Sequence, residues 1–270
     1  MYKIVFVDID GTLRNDNQEI TTRTKQAIKN LMDRGVLVVI ASGRPRKYTE
    51  NISRETNASK YIIISNGGGI YDYRNKIEIY NNIMYKPSII ELYKIATQED
   101  VRFMMNVGED RVVTKLKHFD GSERKLEEPI EKFVQENDIN QCVVTDTDFY
   151  KVKRAKQQAE KLKNVEIKYQ SPKLIDENEK QRDTTSFDVA NIESSKGNAV
   201  KILCDKLNID LKDAIAIGDN ENDISMLKKV GLAVVVDNAQ DNVKKYANRV
   251  IKSNNEEGVA EFLEELNNIN

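Results

Sequence analysis

Two aspartates follow a buried strand near the start of the chain. The run KIVFVDI at residues 3–9 is apolar and rich in β-branched residues, which is typical of a strand buried on both faces. Asp8 and Asp10 stand at its carboxyl end, before Gly11 and Thr12, and their i, i+2 spacing puts both carboxylates on one side of an extended chain. Two carboxylates held together repel each other unless a cation lies between them, and Mg²⁺ prefers such oxygen ligands. The pattern therefore predicts a Mg²⁺ site, with a solvated Asp-Gly turn as the alternative.

A second acidic cluster follows another buried strand in the C-terminal third. Asp219 comes directly after the run AIAIG, and Asn222 and Asp223 follow in GDNENDISML. We expect Asp219 to complete the metal site, because open parallel sheets bind ligands at the carboxyl ends of their strands. We expect Asp223 to orient the neighbouring ligands. An Asx turn that caps the following helix is the local alternative.

Two further segments are suited to binding a phosphate group. Ser42 ends a strand in ASGRP, where Gly43 lets the backbone approach closely and Arg44 adds a planar set of donors. Lys196, in SSKGNAV, stands at the start of a helix, whose positive dipole end adds to the charge of its ammonium group. Taken singly, a Ser-Gly turn and a surface lysine explain these patterns equally well. The SNGGG segment is explained by glycine at a strand exit, with a role for Asn66 in lining the substrate site as the alternative.

The outer thirds of the chain must position these residues. Runs typical of buried strands alternate there with helical patterns, as in VLVVIAS and YIIIS near the N-terminus and AIAIG and LAVVV near the C-terminus. This alternation predicts an α/β fold whose parallel sheet is completed by both thirds. The middle instead contains alternating strands such as RFMMN and VEIKYQ, which are typical of an antiparallel sheet with one exposed face. We therefore predict an α/β core over residues 1–83 and 185–270, with an α+β domain inserted at 84–184.

The composition argues against several classes of protein. The net charge of −2 provides no basic field for nucleic acid, and no apolar run reaches the roughly 20 residues that span a bilayer. Two cysteines and one histidine are too few for a structural zinc site. The first residues are strand-like and lack the pattern of a signal peptide. We expect a cytoplasmic protein, monomeric or homodimeric, that binds neither nucleic acid nor membrane.

Four motifs stand in a fixed order along the chain: DIDGT (8–12), SGR (42–44), SKGNAV (195–200) and GDNENDISML (218–227). In order and spacing they resemble the motifs of the haloacid dehalogenase (HAD) superfamily, and most closely those of its Cof-type phosphatases with a type IIB cap. The resemblance covers nearly the whole chain, since the insertion falls where that cap belongs. It implies a Rossmann-like parallel-sheet core with an inserted α+β cap domain that determines substrate specificity.

The resemblance also implies how the acidic residues would act. Asp8 would be the nucleophile that forms an aspartyl-phosphate. Asp10 would protonate the leaving oxygen as general acid and then activate water as general base. Mg²⁺ would be held by Asp8, the backbone carbonyl of Asp10 and Asp219, with Asp223 alongside.

The remaining motif residues would bind the substrate. By the same resemblance, Ser42 and Lys196 would bind the transferring phosphoryl group, and Asn222 would assist them. Gly43 belongs to the same phosphate-binding turn, and Arg44 would contact the substrate. None of the expected catalytic positions departs from the family pattern.

The predicted function is Mg²⁺-dependent hydrolysis of small phosphorylated metabolites, with sugar phosphates as the first substrates to test. A phosphomutase acting on a sugar phosphate would use the same chemistry but return the phosphoryl group to the substrate. A receiver domain in signalling would also carry a phosphorylated aspartate, but it needs a much shorter chain and no inserted domain. A binding module that keeps the fold without catalysis is a further alternative.

Overall fold

The computed structural model describes residues 2–116, 123–171 and 184–269. Its strands are, in chain order, β1 (Ile4–Val7), β2 (Leu37–Ala41), β3 (Tyr61–Ile64), β4 (Gly69–Asp72), β5 (Ile77–Asn81), β6 (Arg102–Val107), β7 (Asp110–Val113), β8 (Arg124–Lys125), β9 (Ile139–Asp146), β10 (Val165–Gln170), β11 (Thr185–Asn191), β12 (Ala214–Gly218), β13 (Leu232–Val236) and β14 (Arg249–Ile251). Its α-helices are α1 (Thr22–Asp33), α2 (Arg46–Glu55), α3 (Lys86–Gln98), α4 (Ile130–Glu136), α5 (Phe149–Ala159), α6 (Lys196–Leu207), α7 (Ile224–Leu227), α8 (Asp241–Lys244) and α9 (Gly258–Ile269). Short 3₁₀ turns lie at Leu211–Asp213, Glu221–Asp223 and Asn254–Glu256, and a turn with left-handed backbone lies at Ser65–Gly67. Within the described ranges, none of the helices has both the length and the apolar character that crossing a membrane requires.

The chain divides into two units, of which the outer one comprises Met1–Tyr80 and Ser195–Asn270. Its described strands form an eight-stranded sheet in the order β14-β13-β12-β1-β2-β3-β4-β5. The pairs from β14 to β3 are parallel, and β4 runs antiparallel to β3. The sheet therefore joins strands from both ends of the chain, which confirms the parallel sheet predicted from the outer thirds.

Both faces of β1 are buried, which explains its unbroken apolar sequence. Val5 and Val7 pack in one cluster with residues of α1 and α9, and Ile4 and Phe6 pack in another with residues of α6. All four side chains are 0% exposed. Burying one such side chain contributes about 1.5–3 kcal/mol to the stability of the fold. The strand is therefore held in place, and so is the start of the loop that follows it.

The inserted unit comprises Asn81–Ser194 and has a sheet and a core of its own. Its described strands have the order β10-β11-β9-β6-β7-β8, and the pairs are antiparallel except for β7 with β8. Helices α3, α4 and α5 contribute Leu92, Phe133 and Val152 to a core that also contains Phe103 of β6. The alternating strands in the middle of the chain thus form the predicted α+β arrangement with a mainly antiparallel sheet.

One strand lies in the inserted unit although its sequence position was assigned to the outer thirds. Strand β11 is hydrogen-bonded to both β9 and β10, within the sheet of the inserted unit. The units therefore divide after Tyr80 and after Ser194, compared with 83 and 184 in the sequence analysis. The difference arises because the residues of a strand do not by themselves specify the neighbours with which it pairs.

Candidate active site

The predicted site residues follow three neighbouring strands of the outer sheet. Asp8 comes directly after β1, Ser42 after β2 and Asp219 after β12. Because β12, β1 and β2 are adjacent and parallel, their carboxyl ends lie at the same edge of the sheet. Carboxylate oxygens of Asp8, Asp219 and Asp223 lie within 4.8 Å of one another, in a group that could hold a metal ion. Side chains from opposite ends of the chain therefore converge, as the sequence patterns predict.

The loop after β1 packs closely against Asp219. The Thr12 hydroxyl donates a hydrogen bond to Asp219 Oδ1 at 2.8 Å. Gly11 has a φ of +83°, and a Cβ at this position would lie 2.4 Å from Asp219 Oδ2. Glycine allows both this backbone conformation and the close approach. The Gly-Thr pair thus holds the loop against a carboxylate that is 207 positions away from Thr12 in the chain.

A buried lysine joins two of the carboxylates. The Lys196 side chain is 0% exposed, and its Nζ donates to Asp8 Oδ1 at 2.5 Å and to Asp223 Oδ1 at 2.6 Å. Burial by itself lowers the pKa of the Lys196 ammonium group, but the negative charges of Asp223 and Asp8 outweigh this effect and hold the pKa above its ordinary value. Lys196 therefore remains positively charged at neutral pH.

The start of α6 is fixed by contacts on both sides of Lys196. The hydroxyl of Ser195 accepts the backbone N–H of Asn198 at 3.0 Å and so caps the helix. The backbone N–H of Gly197 donates to Ser225 Oγ at 3.0 Å, and a Cβ on Gly197 would lie only 2.0 Å from the Ser225 carbonyl oxygen. Helix α6 therefore begins in close contact with α7, and this contact determines where the lysine stands.

Both carboxylate oxygens of Asp223 are engaged within the protein. Oδ1 accepts from Lys196, and Oδ2 accepts the backbone N–H groups of Asp219 and Asn220, each at 3.0 Å. The side chain is 0% exposed, and a Cβ on Gly218 would lie 2.6 Å from its carboxylate. Asp223 thus orients the lysine and the turn that carries Asp219.

The cluster has more negative than positive charge, since it joins the carboxylates of Asp8, Asp219 and Asp223 to the ammonium group of Lys196. Burial raises the pKa of Asp8 well above its ordinary value; Lys196 opposes this rise and the neighbouring carboxylates add to it. Burial also raises the pKa of Asp219 to about 7, and the charge of Asp223 adds to the rise. One oxygen of Asp8 and one of Asp219 accept no hydrogen bond from the described residues. Crowded carboxylate oxygens with surplus negative charge fit a divalent cation such as Mg²⁺.

The turn after β2 carries the buried Ser42 and places Arg44 beside the Asp10 side chain. Ser42 is buried, and its Oγ accepts the backbone N–H of Arg44 at 3.2 Å. The Arg44 guanidinium donates to both carboxylate oxygens of Asp10, at 2.8 and 3.0 Å. Because the two side chains are 40% and 37% exposed, this ion pair adds little to stability. Its effect is to orient the Asp10 carboxylate, a contact that the motif spacing did not predict.

Two asparagines connect the segments after β3 and β12. Asn222 Nδ2 donates to Asn66 Oδ1 at 2.9 Å, and Asn222 Oδ1 is buried without a partner among the described residues. Asn66 is 2% exposed, and a Cβ on Gly43 would lie 2.9 Å from its amide nitrogen. The SNGGG sequence by itself does not assign a role to Asn66, because glycine alone explains this segment. The signal that could have identified it is a polar residue shortly after a strand that neighbours the predicted site.

Comparison with known proteins shows the class to which this chain belongs. The fold and the site define an α/β protein with a carboxylate-rich cluster at the carboxyl edge of a parallel sheet. Residues 5–263 match the family of haloacid dehalogenase-like hydrolases, and the chain belongs to this family. The resemblance inferred from the four sequence motifs is thereby confirmed.

Relatives that span nearly the whole chain are named as phosphatases. A putative phosphatase of Streptococcus pyogenes is 31% identical, over 96% of this chain and 96% of its own. The 5-amino-6-(5-phospho-D-ribitylamino)uracil phosphatase YcsE of Bacillus subtilis is 27% identical, over 97% of this chain and 94% of its own. Together with the family, these relatives support an enzyme that acts as a phosphatase.

Solved structures share the fold. A haloacid dehalogenase-like hydrolase from Bacteroides thetaiotaomicron is similar with a TM-score of 0.84 and 23% identity, over 98% of this chain and 100% of its own. A sugar phosphatase of HAD subclass IIB is similar with a TM-score of 0.80 and 19% identity, over 98% of each chain. At these identities the similarity establishes the fold, and it confirms the predicted α/β class with a parallel-sheet core.

Proposed function

We propose that the chain is a Mg²⁺-dependent phosphatase that hydrolyses small phosphomonoesters through an aspartyl-phosphate on Asp8. The observation that carries the proposal is the convergence of Asp8, Lys196 and Asp219 at one edge of the sheet. Phosphoryl transfer depends on positioning the reactants and neutralising the charge of the phosphoryl oxygens. A carboxylate nucleophile beside a buried ammonium group and further cation-binding oxygens meets both requirements.

The reaction proceeds in two displacement steps. In the first, a carboxylate oxygen of Asp8 attacks phosphorus, the bond from phosphorus to the leaving oxygen breaks, and Asp10 gives that oxygen a proton. In the second, Asp10 takes a proton from water, whose oxygen attacks phosphorus and breaks its bond to Asp8. Inorganic phosphate leaves, and both aspartates return to their initial states. Arg44 donates to both oxygens of the ionised Asp10 carboxylate, the form that follows the first proton transfer. In the protonated form that precedes it, one oxygen carries the proton and leaves the guanidinium, while the other keeps Arg44 as its donor.

Other residues of the site would bind the transferring phosphoryl group. Lys196 lies against Asp8 and supplies positive charge where the phosphoryl oxygens gain negative charge. The hydroxyl of Ser42 and the amide of Asn222 would add hydrogen bonds, while Gly43 keeps the turn between β2 and α2 free of a further side chain. These roles rest on the family motifs and, for Lys196, on its contact with Asp8.

The metal would be held by Asp8, Asp219 and the backbone carbonyl of Asp10. Asp8 and Asp219 are suited to this role, because one carboxylate oxygen of each accepts no hydrogen bond from the described residues and can bind a cation. Both oxygens of Asp223 already accept hydrogen bonds within the protein, so Asp223 would orient the metal ligands and would not bind the metal directly. When bound, Mg²⁺ offsets the carboxylate charge and withdraws electron density from the phosphoryl oxygens.

Small phosphorylated metabolites are the proposed substrates, with sugar phosphates first among them. A relative from Methanobrevibacter smithii is named a phosphoglycolate phosphatase, and one structural neighbour is a sugar phosphatase. These names share a small organic phosphomonoester as the substrate class. We propose that the inserted unit, Asn81–Ser194, is the cap that selects among such substrates.

The proposal is tested by measuring phosphate release from p-nitrophenyl phosphate and from a panel of sugar phosphates. We expect release that requires Mg²⁺ and is abolished by EDTA, because the surplus carboxylate charge of the site otherwise repels the substrate. Conversion of a sugar phosphate into its isomer without release of phosphate would show a phosphomutase instead. Lasting phosphorylation of Asp8 without turnover would show a receiver-like protein.

Metal binding can be tested apart from turnover. Asp219→Asn should raise the thermal midpoint in EDTA by about 2–6 °C, because it removes one of the crowded negative charges while its side-chain oxygen can still accept from Thr12. Mg²⁺ at millimolar concentration should raise the midpoint of the wild type by a few degrees and leave that of the variant unchanged.

The control for this experiment is Asp241→Asn, which makes the same change of charge at an exposed position of α8. Its midpoint and its response to Mg²⁺ should match the wild type. An Asp219→Asn protein that is still stabilised by Mg²⁺ to the wild-type extent would remove Asp219 from the metal site.

The acid role of Asp10 predicts a dependence on the leaving group. Asp10→Asn should lower kcat/KM by about 10²–10⁴-fold for a hexose phosphate, whose alkoxide needs a proton, and far less for p-nitrophenyl phosphate. Steady-state kinetics with both substrates measures the difference. Equal losses for the two substrates would argue that Asp10 acts only in orienting other groups.

A further inference from the structure

The loop between β3 and β4 has an unusual backbone. Ser65, Asn66 and Gly67 lie in succession in the left-handed region, with φ values of 51°, 54° and 88°. This conformation is unfavourable for residues other than glycine. Ser65 and Asn66 are also buried, at 0% and 2% exposure. Contacts with neighbouring segments must therefore hold the loop in this conformation.

The loop is bound to the turn that carries Ser42. The backbone N–H of Ser65 donates to the Arg44 carbonyl, and that of Asn66 donates to the Ser42 carbonyl, each at 3.1 Å. Gly43, between these two acceptors, lacks a Cβ that would otherwise lie 2.9 Å from the Asn66 amide nitrogen. The Asn66 side chain therefore packs directly on the backbone of this turn.

The same loop contacts the segments that carry Lys196 and Asn222. A Cβ on Gly67 would lie 2.1 Å from the carbonyl oxygen of Ser195, the residue before Lys196. Asn66 Oδ1 accepts a hydrogen bond from Asn222 Nδ2 at 2.9 Å. One short loop thus touches all three segments whose side chains are proposed to bind the phosphoryl group.

We infer that Asn66 is a positioning residue for phosphoryl transfer, and that it acts by fixing the amide of Asn222. An asparagine amide has two N–H donors and one acceptor oxygen, and it turns about its side-chain bonds unless one of these atoms is held. With one N–H bound to Asn66, the other N–H and the buried Oδ1 of Asn222 have set directions. The inference rests on the proposed function, in which Asn222 assists in binding the transferring group, and it gives Asn66 no contact with the substrate.

Asparagine meets two requirements at this position. Its short polar side chain tolerates a positive φ better than most side chains do. Its amide oxygen also supplies the acceptor that Asn222 needs. Glycine would meet only the first requirement, so a glycine variant separates the backbone conformation from the amide contact.

The experiment therefore replaces Asn66 by glycine. We expect Asn66→Gly to lower kcat/KM by about 10- to 100-fold, because displacing an active-site group by about 1 Å has effects of this size. The factor should be the same for p-nitrophenyl phosphate and for a hexose phosphate, since both transfer the same group. The thermal midpoint should stay within about 5 °C of the wild type, because glycine adopts this backbone conformation readily.

The matched control is Asn208→Gly. Asn208 also has a positive φ, of 53°, but it lies at the opposite end of α6 from Lys196. This variant should keep the kcat/KM of the wild type. A loss equal to that of Asn66→Gly would mean that glycine at any left-handed asparagine lowers activity, and it would overturn the inference.

A double-mutant cycle with Asn222→Ala tests whether Asn66 acts through Asn222. When Asn222→Ala is already present, Asn66→Gly should lower kcat/KM further by a factor of less than about three. Losses that multiply, or an Asn66→Gly enzyme with activity within about threefold of the wild type, would overturn the inference.

A second variant covers the case in which glycine loosens the loop. Asn66→Ser keeps a side chain that the neighbouring Ser65 shows to be accommodated at positive φ, but its hydroxyl is too short to reach Asn222. We expect Asn66→Ser to lower kcat/KM by the same factor as Asn66→Gly, and to lower it by less than about threefold further when Asn222→Ala is already present. A wild-type kcat/KM in this variant would equally overturn the inference. A wild-type enzyme that releases no phosphate would instead refute the proposed function.

Discussion

Asp8→Asn is expected to lower kcat by at least about 10⁴-fold while leaving the fold intact. In the proposed mechanism Asp8 is the nucleophile, and because an amide cannot take that role, no phosphoryl-enzyme should form. The fold should survive because the amide oxygen can still accept from Lys196, which also keeps its contact with Asp223. The thermal midpoint should therefore lie within a few degrees of the wild type. Phosphate release and thermal unfolding measured on the same preparation check both statements.

The matched control for this variant is Asp72→Asn. Asp72 is likewise a buried aspartate, with 3% of its surface exposed, and its carboxylate lies 2.8 Å from Lys60 Nζ. It stands outside the proposed active site. Asp72→Asn should lower the free energy of unfolding, because it removes the charge that pairs with Lys60, and it should leave kcat unchanged. Turnover of Asp8→Asn within about tenfold of the wild type would remove Asp8 from the nucleophile role.

Lys196→Met is expected to have a large effect on stability as well as on activity. The ammonium group is fully buried between Asp8 and Asp223, and its removal leaves two buried carboxylates without their cation. Removing one partner of a buried ion pair costs about 3–5 kcal/mol of the free energy of unfolding. We also expect kcat/KM to fall by at least about 10²-fold, because the transferring group loses a positive charge. Chemical denaturation and steady-state kinetics measure the two effects.

A double-mutant cycle shows whether the lysine stabilises the protein through Asp8. In the Asp8→Asn background, where one of the two charges is already gone, Lys196→Met should cost about 1–3 kcal/mol less of the free energy of unfolding than in the wild type. Lys60→Met is the control outside the site; it should leave kcat/KM unchanged. A Lys196→Met protein as stable as the wild type would contradict the buried ion-pair cluster.

The positions of the acidic residues follow closely from local sequence patterns. The apolar run that ends before Asp8 is buried on both faces, and the run that ends before Asp219 forms the adjacent strand β12. Short apolar runs bounded by turn residues identify buried parallel strands, and ligands bind at the carboxyl ends of such strands. The convergence of Asp8 and Asp219 could therefore be predicted before any coordinates were known.

The partners of the basic residues could not be predicted in the same way. The start of α6 suggested Lys196 as a phosphate-binding residue, but its burial between Asp8 and Asp223 depends on how α6 packs against α7. For Arg44 the sequence indicates a contact with the substrate, which stays a prediction, and it gives no sign of the ion pair with both oxygens of Asp10. In each case the deciding contact joins side chains that are far apart in the chain.

Residue types and their periodicity were sufficient to indicate the α/β class, the inserted α+β region and the acidic strand ends, because these features depend on neighbours within a few residues. The sheet to which β11 belongs and the contact of Asn66 with Asn222 became evident only in the folded chain. Strand pairing and loop packing bring together segments more than two hundred residues apart, as in the contact of Thr12 with Asp219. Such contacts depend on the packing of the whole sheet, and no local pattern encodes them.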